Sequence, residues 1–201
     1  MIYVVSGMVR TGTSMMMHAL IKGGIPAIYE VGKDISVKAR ITREYDPNID
    51  GMFELSYGML LQRFPDDLDG EAVKIHDSQW LGLRDKYAKN GLSVVYMIRK
   101  PNDVLSSLCR LTFKDKPTRK EVARANFQIN VAKNVANRKD VKALVVMKYE
   151  DVLDYPRKCF EYLVNEGFPI NVERAMSVVK PSACHYRDSE IELPSSEEGE
   201  E

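Results

Sequence analysis

Short unbroken apolar runs alternate along this chain with segments whose apolar residues recur every three or four positions. Ile2-Tyr3-Val4-Val5, Ala72-Val73-Lys74-Ile75-His76, Ser93-Val94-Val95-Tyr96-Met97-Ile98 and Val141 to Met147 are strand-length and rich in β-branched residues. Between them the spacing turns helical. Residues 14–22 follow the first run, and Leu55, Met59, Leu60 and Phe64 fall on one helical face before Pro65. Leu81, Leu83 and Tyr87 predict a helix over Gln79 to Lys89, closed by a left-handed turn at Asn90-Gly91. Pro101 opens a helix striped by Val104, Leu105, Leu108 and Leu111. Val122, Ala125, Ile129, Ala132 and Ala136 predict one long amphipathic helix. Pro156 to Asn165 and Val172 to Val179 supply two more, and Gly167 follows the first of them. Ile25 to Tyr29, after the stop at Gly23-Gly24, predicts an edge strand. A helix over Asp34 to Glu44 and a turn over Asp46 to Gly51 complete the pattern.

Strands alternating with helices imply an α/β fold. The expectation is a three-layer sandwich with a central parallel sheet of about five strands, covered by helices on both faces. No repeat or second domain is visible, so residues 1–188 read as one domain and 189–201 as an acidic, disordered tail. Parallel sheets bind ligands at the carboxyl ends of their strands. That directs attention to the loop after Val5, to His76, to Arg99 and to Lys148.

The first of these ends is Ser6-Gly7-Met8-Val9-Arg10-Thr11-Gly12-Thr13-Ser14, a glycine loop between strand and helix. The glycines permit a sharp exit and let backbone N–H groups crowd around an anion, while the helix N-terminus adds its dipole. The spacing is close to that of a Walker loop, so the fold expected is of P-loop type. Position 13, where an NTPase carries its phosphate-gripping lysine, is threonine. Arg10 is the cation of the loop.

Composition narrows the picture further. Lys+Arg and Asp+Glu balance at 29 each, so no global field points to nucleic acid or an acidic membrane surface. With the acids concentrated between Ser189 and Glu201, the remainder carries a positive surplus. Cys109, Cys159 and Cys184 are odd in number and widely spaced, matching neither a disulfide framework nor a zinc site. The opening residues lack a basic n-region followed by an apolar h-region, and no apolar run reaches bilayer length. The expectation is therefore a protein without a signal peptide in a reducing, cytoplasmic setting.

Several segments together resemble the sulfotransferase branch of the P-loop fold. The loop from Val4 to Ser14 resembles the one that family uses for the 5′-phosphosulfate of 3′-phosphoadenosine 5′-phosphosulfate (PAPS). Tyr96 to Ser107 resembles its 3′-phosphate motif, in which an arginine and a serine eight residues later share one phosphate; here they are Arg99 and Ser107. Lys148-Tyr149-Glu150-Asp151-Val152-Leu153 resembles the family's Tyr-Glu-Asp-Leu segment. Val179 to Arg187 resembles a C-terminal segment of bacterial members.

The resemblance implies a PAPS-dependent transferase that passes a sulfuryl group to a hydroxyl or amine of a small molecule or saccharide. It leaves 3′,5′-bisphosphoadenosine (PAP) and requires no metal. Gly7, Arg10, Thr11, Gly12, Thr13 and Ser14 would hold the phosphosulfate, and Arg99 and Ser107 the 3′-phosphate. Two rival bases follow. His76 ends its strand as the family's Lys-Thr-His histidine does, with Lys74 on the same face by period two. Glu54, in Phe53-Glu54, resembles the glutamate of bacterial members. His18 carries no assigned chemistry, and Met15-Met16-Met17 reads as packing. Two alternatives stay open: a P-loop kinase, with Asp77 as its magnesium ligand, and a non-catalytic nucleotide-binding module.

Overall fold

The structure, a computed structural model, describes residues 1–30 and 53–180. The helix expected over Asp34 to Glu44, the turn at Asp46 to Gly51, the segment Pro181 to Arg187, Cys184 and the acidic tail lie outside these residues.

Strand β1 (Ile2–Gly7) runs between β2 (Ala72–His76) and β3 (Leu92–Ile98), and β4 (Val141–Lys148) completes an all-parallel sheet of order β2-β1-β3-β4. Among the described residues the sheet has four strands where about five were expected. Ile25 to Tyr29 contributes only one parallel bridge, Ala27 to Ala72. Pro26 accepts from the Ala72 N–H at 2.6 Å, but it has no N–H of its own with which to extend a ladder.

Helices cover both faces, as the near-continuous apolar strands require. On one face Val5, Val95 and Met97 pack against Met16, Met17 and Leu20 of α1 (Thr13–Gly23), with Phe160 and Phe168 beyond them. The methionine run therefore does serve packing. On the other face Ile2, Val4, Ile75 and Tyr96 meet Leu60 of α2 (Tyr57–Arg63), Trp80, and Ala132 and Val135 further along the chain. Period two fixes which side chains share a face. Val5 lies opposite Lys74 and Gly7 opposite His76, so Lys74 and His76 emerge together on the α1 side.

Helix α3 (Pro101–Thr112) begins at its proline and buries Val104, Leu105 and Leu108. Two expectations fail here for reasons beyond local sequence. The helix over Gln79 to Lys89 is instead a 3-10 segment, Asp77–Leu83, followed by an irregular turn. A Cβ added at Gly82 would lie 1.5 Å from the Tyr57 hydroxyl, so the segment follows the shape of α2 rather than its own helical period, and Leu81 is left 77% exposed. The long helix from Val122 to Ala136 is two helices, α4 (Arg119–Asn126) and α5 (Gln128–Ala136), parted at Phe127. Gln128 causes the break by turning its amide inward, toward the end of β3 and the Ala125 carbonyl. Helices α6 (Tyr149–Asp154), α7 (Pro156–Asn165) and α8 (Val172–Met176) close the chain against the α1 face. Among the described residues no helix is long and apolar enough to cross a membrane.

Candidate functional site

At the carboxyl end of β1 the chain turns through Gly7 at φ 145° and reaches α1 through Gly12 at φ 92°, both in the region that favours glycine. Neither position has room for a side chain. A Cβ on Gly7 would lie 2.5 Å from the Met97 carbonyl oxygen, and one on Gly12 2.4 Å from the Tyr149 ring. The loop is closed on itself by Thr11, whose hydroxyl donates to the Met8 carbonyl at 2.7 Å. Arg10, between them, is also left-handed, at φ 73°.

That loop brings together two motifs almost a hundred residues apart. Arg10 Nε donates to Ser107 Oγ at 2.8 Å, and Arg99 Nη1 donates to the Arg10 carbonyl at 3.3 Å. Ser107, one turn beyond Asp103 on α3, is 1% exposed, and Arg99 at the end of β3 is 8% exposed. The Arg99 backbone is clamped by Gln128, which accepts from its N–H and donates to its carbonyl, each at 3.1 Å. The guanidinium lies 4.6 Å above the Tyr149 ring, the same ring that touches Gly12. One aromatic side chain thus braces both the loop and the arginine.

On the other side of the loop lies a second cluster. Lys74 Nζ donates to Ser14 Oγ at 3.1 Å and approaches Glu54 Oε1 at 3.6 Å, with its side chain only 2% exposed. The same Glu54 oxygen meets His76 Nε2 at 3.1 Å. An ionised carboxylate only accepts, so in the neutral imidazole the proton sits on Nε2 and the lone pair on Nδ1. Nδ1 is buried and has no hydrogen-bond partner among the described residues. His76 and Glu54, read from sequence as rivals, are bonded partners here.

Every residue expected to hold the donor or act as a base falls in one of these two clusters or in the loop between them. Sequence reasoning gave no role to Gln128 or Tyr149. The signal for Tyr149 was its place at a strand end; a glutamine interrupting a helical apolar stripe was the signal for Gln128. Asp77, the candidate magnesium ligand, is committed elsewhere: its Oδ1 accepts from Arg124 Nη2 and from the Ser78 N–H, both at 2.7 Å. Its charge bears on Tyr96, whose phenol is pushed well up, first by burial and then by Asp77.

No family model matches the sequence, and no curated protein matches it. Among solved structures, retinol dehydratase in complex with androsterone and the inactive cofactor PAP aligns at 15% identity and a TM-score of 0.48, over 91% of this chain and 64% of that one. Retinol dehydratase in a complex with retinol and PAP aligns at 14% identity and 0.46, over 88% and 63%. The chain therefore spans less than two thirds of the length of either. An unliganded sugar kinase from Janibacter sp. aligns at 10% identity and 0.40, over 89% and 97%. The likeness is confined to the fold.

Proposed function

We propose that this protein is a sulfotransferase, moving a sulfuryl group from PAPS to a hydroxyl or amine of a small-molecule or saccharide acceptor. The observation that carries this reading is the junction of Arg10, Arg99 and Ser107 beside the glycine loop. Two anion-reading sites joined through one arginine fit a nucleotide with anionic groups at two separate positions. A linear triphosphate needs one extended cradle instead.

The residues present suit such a donor. Arg99 and Ser107 are desolvated, so hydrogen bonds to an anion gain strength there. Helix α1 starts at Gly12 with no side-chain cap and no acid in its first turn, and its N–H groups and dipole point toward a phosphate. PAPS, when bound, supplies the sulfuryl group and the phosphate that leaves it.

The chain's own residues do the rest. Arg99 and Ser107 grip the 3′-phosphate, while Gly7, Gly12, Thr13 and Ser14 hold the 5′ end. Arg10, held by Ser107 in this structure, sits between the two and neutralises charge at either. Lys74 carries positive charge to the mouth of the loop, the place where charge develops during transfer. Glu54 takes the acceptor's proton, since His76 Nε2 already carries one and Nδ1 is buried; the imidazole N–H holds the carboxylate in place. Thr11 acts through the loop's shape, since its hydroxyl is spent on Met8.

The test is a transfer assay with sulfur-labelled PAPS, without magnesium, against a panel of alcohols, amines and saccharides. The expected result is label on at least one acceptor with matching release of PAP. Phosphoryl transfer from Mg·ATP with no sulfuryl transfer would overturn the reading in favour of a kinase.

A further inference from the structure

Phe53 stands at φ 53°. A left-handed phenylalanine has no side-chain hydrogen bond to offset the clash of its Cβ, so it persists only where the surroundings hold it. They do so here. The ring is buried in the core of the α1 face, stacked on His18 at 5.8 Å between centroids and met edge-on by Tyr29 at 5.2 Å. Two residues on, Leu55 is anchored in the opposite core. Between these anchors the Glu54 carbonyl accepts from the Glu30 N–H at 2.9 Å, and the Glu30 carboxylate holds the Ser56 N–H at 3.1 Å. The chain thus rounds the edge of the sheet pinned at four consecutive residues, and the Glu54 carboxylate is delivered to Lys74 and His76.

We propose that Phe53 is a positioning residue for the Glu54–His76 pair. Its left-handed backbone, kept in place by the His18–Phe53–Tyr29 stack, aims the carboxylate at the imidazole and the ammonium. The catalytic part of this inference rests on the sulfotransferase reading; the geometric part stands without it.

The experiment compares F53V, F53N and E54Q in the full chain. Valine keeps the site apolar but resists the left-handed conformation, whereas asparagine adopts it readily without a ring. The first readout is the imidazole ¹⁵N spectrum of His76, assigned with H76Q. F53V is expected to move the Nε2 signal to the place it takes in E54Q, and F53N to leave it near the wild-type place. H18L, which removes one side of the stack, moves it partway, and serves where F53V does not fold. The second readout is steady-state transfer from PAPS. F53V lowers kcat with the donor KM unchanged, and F53V/E54Q falls within about twofold of E54Q alone because both changes remove one interaction. A wild-type Nε2 signal in folded F53V or in H18L, or losses from F53V and E54Q that multiply, would overturn the proposal. Absence of sulfuryl transfer in the wild type would sink the functional reading instead, and the spectra would still judge Phe53.

Discussion

Lys74 Nζ donates to Ser14 Oγ at 3.1 Å across the gap between β2 and the start of α1. On the sulfotransferase reading proposed above, the ammonium that a Walker loop carries at position 13 is supplied from the neighbouring strand, two residues before His76. Its side chain is almost wholly buried, and it is paired with Glu54. A cation desolvated in this way is fixed before any ligand arrives and needs no reorganisation during transfer.

K74M is therefore expected to lower kcat by about 10²–10³-fold, the range seen when one preorganised charge-stabilising donor is removed. The KM for PAPS should change little, since Arg99 and Ser107 still hold the nucleotide. Steady-state kinetics at saturating acceptor check this. A rise in KM with unchanged kcat would mean that Lys74 binds donor and transition state alike.

Because His76 Nε2 and Glu54 Oε1 share one hydrogen bond, H76Q and E54Q should each lower kcat by about 10²–10⁴-fold. The double variant should fall within about threefold of the worse single one. Independent losses that multiply would show two separate functions.

Gly12 is wedged against the Tyr149 ring, and its backbone is left-handed. G12A must displace that ring and strain the loop, at a cost of about 1–3 kcal/mol. For a chain of this length Tm should then drop by roughly 3–10 °C. Since Tyr149 also supports Arg99, donor affinity should fall with it. Calorimetry of G12A beside G24A provides the control: a Cβ at Gly24 meets nothing within 4 Å, though it too bears the conformational penalty.

The Tyr96 hydroxyl is buried with no hydrogen-bond partner among the described residues. Removing a buried, unsatisfied group costs nothing, so Y96F should match or exceed the wild type by about 0.5–1 kcal/mol near neutral pH. The sign of the pH dependence follows from the raised phenol. The folded state holds this proton beyond the ordinary value of 10.0, so the contribution is constant below pH 10.0 and is lost as pH rises above it. Above that pH the wild type should lose stability relative to Y96F by about 1.4 kcal/mol per pH unit. Denaturant unfolding of both proteins at a series of pH values checks that the gap in favour of Y96F widens above pH 10.0.

The strand, glycine loop and helix around Gly7 and Gly12 were legible because the signal is local: β-branched residues, then glycines, then a helical stripe. The shared face of Lys74 and His76 followed from period two alone. What escaped was set by distant partners. Nothing near Gln79 to Lys89 announces that Gly82 must accommodate Tyr57, and only β3 explains why Gln128 breaks a helix. Glu54 and His76 were each read as a candidate base, but their contact lies beside a left-handed Phe53 that no propensity favours. Arg10 was placed on the loop correctly, while its hold on Ser107 joins residues 97 apart in sequence.

The most direct test of the two-cradle account is calorimetric titration of the wild type, and of the R99M/S107A double variant, with PAP and with AMP, which differ only in the 3′-phosphate. The account predicts that the wild type binds PAP at least about tenfold more tightly than AMP, as charged hydrogen bonds of about 1.5–3 kcal/mol require. It also predicts that the double variant loses this preference while keeping its affinity for AMP. Equal affinities for PAP and AMP in the wild type would contradict it.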